Sequence, residues 1–303
     1  MNKTLGTIVI LVLFGLLGFF FVTSRIVDQQ MNKCLHIEDE DYNISPITRD
    51  LHDSLIIADW HSDVLLWDRS ILNRATHGHT DIPRLIEGNV TLQVFDAVIK
   101  TPKGQNYDSN SGDSDNITLL AMVNRWPIKT WYNLTNRAIH QSQKLHKAAE
   151  QSDGQLRIVK SKQDIQQLLD MRASNKAMVG GLLSIEGLHA LSGELNNLSL
   201  LYNHGYRMMG LVHFFDNKIG GSSAGVQKGG LTNFGKEVIG QMEEMGIIID
   251  LAHASTKLID DVLANSKRPM VVSHTGVSGT YESPRNLSDR HIRMIADLSL
   301  IHI

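Results

Sequence analysis

Histidine and acidic residues recur at one kind of place in this sequence, just after short apolar runs. The run Leu55–Ala58 leads into His61 and Asp63, within IADWHSDVLL. Met178–Ile185 ends at Glu186 in LLSIEGLHAL, and Met208–Val212 is followed by His213 in GLVHFFDN. Ile247–Leu251 brings Asp250 and His253 in IIIDLAHAS, and Met270–Val272 brings His274 in VVSHTGVSG. On an extended strand, residues i and i+2 point to the same side, so His61 and Asp63 are expected to face one point. Neutral imidazole with carboxylate is a donor set suited to Zn²⁺. Glu186 has two oxygens with which to bridge two metals, and His253 and His274 could hold the second. Two metals about 3.5–4 Å apart can share a hydroxide and polarise a carbonyl.

No single member of this set is strong evidence. An isolated HxD or a lone His213 is more often structural than chemical. Asp250 is read as an interior hydrogen-bonding residue, not a ligand. His189 follows Glu186 by three residues, on the next turn, and is left out of the set. His77 and His79 precede a proline and read as surface or capping residues. His36, His52, His140, His146 and His204 have no strand-end context. The weight lies in the order of the set.

Such residues need a scaffold that gathers strand ends. The six apolar runs include Val90–Ile99, and helix-like stretches alternate with them at Asn116–Glu150, Ser161–Met171, Leu231–Met245 and Thr256–Asn265. Strand–helix alternation with near-continuous apolar runs predicts a buried parallel sheet. The fold class expected is α/β, a (β/α)8 TIM-type barrel with about six of eight strands present; an open doubly wound sheet is the alternative. Catalytic groups in such barrels gather at the C-terminal strand ends. No GxGxxG follows the first run, which weakens a dinucleotide fold. Residues 104–112 read as a surface loop.

Composition agrees. The 303 residues are 42% hydrophobic and 20% charged, enough for one large α/β domain or two small ones. A net charge of −3 gives no basic field for nucleic acid. The single cysteine, Cys34, excludes an internal disulfide framework and a CxxC zinc site. Residues 4–24, TLGTIVILVLFGLLGFFFVTS, carry no charge and are long enough for a membrane span. Residues 1–25 are therefore expected to be a membrane anchor or signal peptide that places the rest on the periplasmic or extracellular side. Residues 26–50 are expected to be a linker, and residues 51–303 the catalytic domain.

The ordered series HSD, SIEG, LVHFFDN, DLAH, SHT and RNLSD resembles the membrane dipeptidase (renal dipeptidase) family of zinc peptidases, from about Leu51 to Ala296. The segment LTNFGKEVIGQMEEMGIIIDLAHAS is similar to that family throughout, and LQVFDAVIKTPKGQNYD and ITLLAMVNRWP look like a bacterial branch of it. The resemblance implies a dipeptide substrate, a bound hydroxide as nucleophile, two zinc ions and, in many members, a homodimer. It implies that His61 and Asp63 bind one zinc, that His253 and His274 bind the other, and that Glu186 bridges both. His213 would stabilise the oxyanion, and Arg285 would grip the substrate's C-terminal carboxylate with its guanidinium fork. The family carries a further late aspartate, at the end of the eighth strand, that this sequence does not reach; its tail, LSLIHI, does not look like the family. Two alternatives therefore stand beside the dipeptidase: another binuclear amidohydrolase, such as an N-acyl-D-amino-acid deacylase, and a non-catalytic metal binder.

Overall fold

Valine, isoleucine, leucine and phenylalanine dominate the apolar runs, and these residues favour a pleated surface buried on both faces. In the computed structural model they form one parallel sheet of six strands. The structure describes residues 22–34 and 44–298, together with Gly15 and Gly18. The strands are β1 (Ile57–Asp59), β2 (Val90–Val98), β3 (Leu156–Ile158), β4 (Val179–Glu186), β5 (Tyr206–Gly210) and β6 (Ile248–Asp250). Their order is β1-β2-β4-β5-β6, and β3 pairs with the start of β4. Helices α1 (residues 22–31 of its described part), α2 (Pro46–Ser54), α3 (Ile82–Glu87), α4 (Asn116–Val123), α5 (Lys129–Tyr132) and α6 (Leu134–Glu150) accompany the first half. Then come α7 (Lys162–Arg172), α8 (Asn196–Asn203), α9 (Asn233–Met245), α10 (Thr256–Asn265) and α11 (Asp289–Leu298). Each crossover carries a helix, so the sheet is an arc of a (β/α)8 barrel with its strand ends on one rim.

Several expectations need correction. The run Met270–Val272 forms only an isolated parallel bridge, Asp250 with Val271, and the sixth strand is instead the three-residue β3. Leu156–Ile158 is too short to stand out from the helical sequence around it. The stretch Asn116–Glu150 breaks into α4, α5 and α6, because Arg125 takes a left-handed φ of 56° and Pro127 follows it. Within the span 26–50, expected as a linker, the chain is helical to residue 31 and again from Pro46. Of residues 4–24, all but Gly15, Gly18 and residues 22–24 lie outside the described residues, as does the tail from residue 299. Among the described residues, no helix is long and apolar enough to cross a membrane.

One core joins the sheet to its helices. Phe95, Leu183, Ile185, Met209 and Ile249 of the strands pack with Leu145, Leu201, Val238 and Val262 of the helices, all buried. This apolar layer fixes the strand register, in which Asp96 lies beside Ser184 and Val98 beside Glu186. The register decides which side chains reach the rim, because a slip of one residue would turn every side chain to the opposite face.

Candidate metal centre

Five segments deliver the site. Glu186 is the last residue of β4 and is 6% exposed. The chain turns at once through Gly187, whose φ is 94°. A Cβ there would meet the His189 ring at 2.4 Å and His213 Cβ at 3.2 Å, so glycine is what lets the chain leave the strand beside the site. His213 follows β5, His253 follows β6, and His274 follows the Val271 bridge. His61 and Asp63 lie beyond the end of β1, so the strand alternation expected for them does not apply. A turn brings them together instead: the His61 N–H donates to Asp59 Oδ1 at 3.0 Å, and His61 Nε2 lies 3.2 Å from Asp63 Oδ1.

The imidazoles converge on Glu186. Its Oε1 is 3.0 Å from His253 Nε2, 3.4 Å from His274 Nε2 and 4.0 Å from His61 Nε2. Its Oε2 is 3.0 Å from His213 Nε2. His253 Nε2 and His274 Nε2 are 3.0 Å apart, and the His61 and His274 rings stack at 3.8 Å. Two triplets, His61–Glu186–His274 and Glu186–His213–His253, have ligand atoms within 4.8 Å of one another. His213 is thus as close to Glu186 as the expected ligand His253 is. Asp63 is 43% exposed as a side chain, yet its Oδ1 is buried without a hydrogen-bond partner. His253 has a left-handed φ of 64°, rare for a residue with a side chain.

The electrostatics suit a cation. Burial alone would push the Glu186 carboxyl up, but His213, His253 and His274 hold it well below the usual carboxylate range. Burial drives His213 down to about 3 and His253 down to about 4, against the pull of Glu186, so both are neutral imidazoles fit to be ligands. Burial would also lower His61, but Asp63 and Asp96 carry it up to about 12, a demand for positive charge at this point. The neutral imidazoles of His213 and His253 and a carboxylate with oxygens on two sides fit a divalent metal.

Sequence reasoning missed the groups behind the ligands. Asp96, 1% exposed, lies with Oδ2 3.1 Å from His61 Nδ1. A carboxylate on the rear nitrogen orients a ligand histidine and raises its basicity. Burial, partly offset by His61, lifts Asp96 to about 6. The signal was present: Asp96 is a carboxylate within the apolar run Val90–Ile99, and a buried charge needs a partner. Ser273 Oγ donates to Asp250 Oδ2 at 2.6 Å and lies 2.9 Å from His274 Nδ1. Asp250 also accepts the N–H groups of Ala252 and Ser273, so it is the interior hydrogen-bonding residue expected. Lys144 donates to the carbonyls of Leu65 and Trp67, each at 2.5 Å, and so pins the turn after Asp63. Asp96→Asn is expected to weaken metal binding about 10–100-fold with the fold intact; equal affinity for zinc by competition titration would remove Asp96 from this role.

Arg285 Nη2 donates to the His274 carbonyl at 2.7 Å, and Arg285 lines a cavity with Thr275, Pro284 and Asn286. His189 is buried with neither ring nitrogen hydrogen-bonded, and burial drives it to about 3. His77 is not a plain surface residue: its Nε2 lies 3.2 Å from Asp28 of α1. His79 is exposed.

A parallel barrel arc with histidines and carboxylates gathered at one rim defines an α/β barrel protein with a candidate metal site. The chain belongs to the membrane dipeptidase family (Peptidase family M19), which it matches over residues 47–301. It is 25% identical over 219 residues to dipeptidase verJ of Clonostachys rogersoniana, covering 72% of this chain and 51% of that protein. The chain spans about half the length of the curated relatives it matches, 51% and 55% of two of them. In fold it is similar to the probable dipeptidase PvdM of Pseudomonas aeruginosa, with a TM-score of 0.67 and 19% identity over 85% of this chain and 62% of that one. A metallo peptidase from Rhodobacter sphaeroides, solved with a phosphinate mimic of the dipeptide L-Ala-D-Ala, aligns with a TM-score of 0.62 and 21% identity. That alignment covers 80% of this chain and 72% of the other.

Proposed function

We propose that this chain carries the metal centre of a zinc-dependent dipeptidase, with two ions bridged by Glu186. The observation that carries the reading is the convergence of His61, His213, His253 and His274 on the two oxygens of one buried carboxylate. A bound divalent cation there supplies Lewis acidity and lowers the pKa of water toward neutrality. His61, Asp63, His253 and His274 would hold the ions. His213, neutral at working pH, has an N–H to offer to the carbonyl oxygen as it gains charge. Asp96 and Ser273 keep two of the rings in line. The apolar stretch at residues 4–24 supports an exported or anchored protein with this site outside the cytoplasm.

Arg285 is assigned to the substrate's C-terminal carboxylate, and it already holds the backbone of His274. Arg285→Ala is expected to raise KM about 10–100-fold for dipeptides with a free carboxylate, the worth of a charged hydrogen bond. For the same dipeptides amidated at that end, the change should be small. Steady-state kinetics on both series checks this; equal losses would leave Arg285 only the support of His274. Dipeptide hydrolysis that vanishes on chelation and returns with zinc tests the reading as a whole.

A further inference from the structure

The turn that follows His61 and Asp63 is held from behind by side chains of other elements. Asp63 caps a single 3₁₀ turn, Val64–Leu66. Two backbone bonds close it, from the Leu66 N–H to the Asp63 carbonyl at 3.0 Å and from the Trp67 N–H to the Val64 carbonyl at 3.2 Å. Carbonyls at the end of so short a turn find no partner within it. Here three in a row accept from side chains. Lys144 of α6 donates to Leu65 and Trp67. Asn124, buried at the end of α4, donates through Nδ2 to the carbonyl between them, Leu66, at 3.1 Å.

Both donors are committed to this turn. Among the described residues no carboxylate pairs with Lys144; its ammonium lies over the Trp126 ring, 5.7 Å from the centroid, with its donors on backbone oxygen. A cation also suits the negative end of a helical turn. Asn124 is fixed by α1: the Ser24 hydroxyl donates to Asn124 Oδ1 at 2.9 Å, which leaves the amide N–H group toward Leu66. Helix α1 is itself tied down where buried Asp28 pairs with Arg69 and His77. The opposite ligands rest on a different set of residues. Ser273 and Arg285 brace His274, and the His253 carbonyl accepts the Ser223 N–H at 2.8 Å.

We propose that Lys144 and Asn124 are positioning residues for one half of the metal centre: they set the backbone that presents His61 and Asp63, and so govern the ion held there but not the ion held by His253 and His274. The proposal rests on the two-ion dipeptidase reading above. Coordination distances tolerate only about 0.2 Å. A turn freed at three carbonyls therefore loses an ion before it loses its fold.

Zinc stoichiometry and affinity, read by competition titration on the whole chain beside a thermal melt of the metal-free form, test this. Wild type is expected to take two ions. Lys144→Met and Asn124→Ala should each keep one ion at unchanged affinity and weaken the other about 10–100-fold, the usual effect of removing a support behind a ligand. Adding His61→Gln to Lys144→Met should leave the retained ion in place, whereas adding His274→Gln should release it. If Asn124→Ala does not fold, Ser24→Ala frees the same amide more gently and should weaken the same ion. Both affinities intact beside a lowered melt would overturn the proposal and make the two residues supports of the fold alone. Equal weakening of both ions, or a retained ion that His61→Gln releases, would overturn it as well. Two ions bound with no dipeptide cleaved ends the dipeptidase reading and leaves the positioning role standing. Fewer than two ions on wild type ends both.

Discussion

On the proposed dipeptidase reading, Glu186→Gln is expected to remove most of the zinc binding and to lower kcat/KM by about 10³-fold or more, roughly 4 kcal/mol of lost transition-state stabilisation. Among the described residues, the carboxylate is the one negative group that faces His213, His253, His274 and His61 together. An amide of the same shape removes that charge and puts a donor where an acceptor stood. It cannot bridge two cations, so the loss should appear in metal content before it appears in fold. Metal analysis beside a thermal melt separates the two. Full zinc occupancy with unchanged turnover would end the assignment of Glu186 as the bridge.

Arg137→Met carries the largest expected cost to stability, about 3–5 kcal/mol, the usual penalty for leaving one member of a buried ion pair alone. The guanidinium is 1% exposed and has five N–H donors. It gives one to the Thr130 carbonyl at 2.6 Å, and two from Nη1, to the Ile99 carbonyl at 2.8 Å and to Asp115 Oδ2 at 2.6 Å. Nη2 gives the last two, to Thr118 Oγ1 at 2.6 Å and to the Trp131 carbonyl at 3.0 Å. One residue thus ties the end of β2 to α4, α5 and α6. Methionine fills the space but leaves the Ile99 and Thr130 carbonyls without the guanidinium, and Asp115 Oδ2 and the Trp131 carbonyl with only the Thr118 hydroxyl to share. Arg137→Lys should recover little, because an ammonium cannot reach acceptors laid out for a planar fork. Equilibrium denaturation reads the difference directly, and a loss under about 1 kcal/mol would show that water or neighbouring donors replace the network.

The sequence was most readable where one physical rule acts alone. Buried parallel strands are apolar throughout, so β2, β4, β5 and β6 announced themselves, and Glu186 and His253 could be placed at their ends. The rule failed where tertiary contacts set local structure. His61 and Asp63 meet through a turn, not through the pleat of a strand. Arg137 looks like an ordinary helix residue, because nothing local says that five acceptors await it. Asp96 was legible in principle as a charge inside an apolar strand, but only the β2–β4 register, and the turn that carries His61, reveal which imidazole it serves. For α1, the sequence marks an apolar stretch but cannot tell that Ser24 and Asp28 would be the side pressed against the barrel.

The left-handed backbone at His253 limits how this site can change over evolutionary time. Outside glycine, asparagine and aspartate, side chains at φ near 64° cost on the order of 1–3 kcal/mol. A codon change there is filtered by the chain's geometry before coordination chemistry has any say. Aspartate passes, which leaves a route toward metals that prefer oxygen donors. Valine, isoleucine and threonine do not. His61 and His274 carry no such filter, so among the proposed ligands position 253 is the one the backbone confines most.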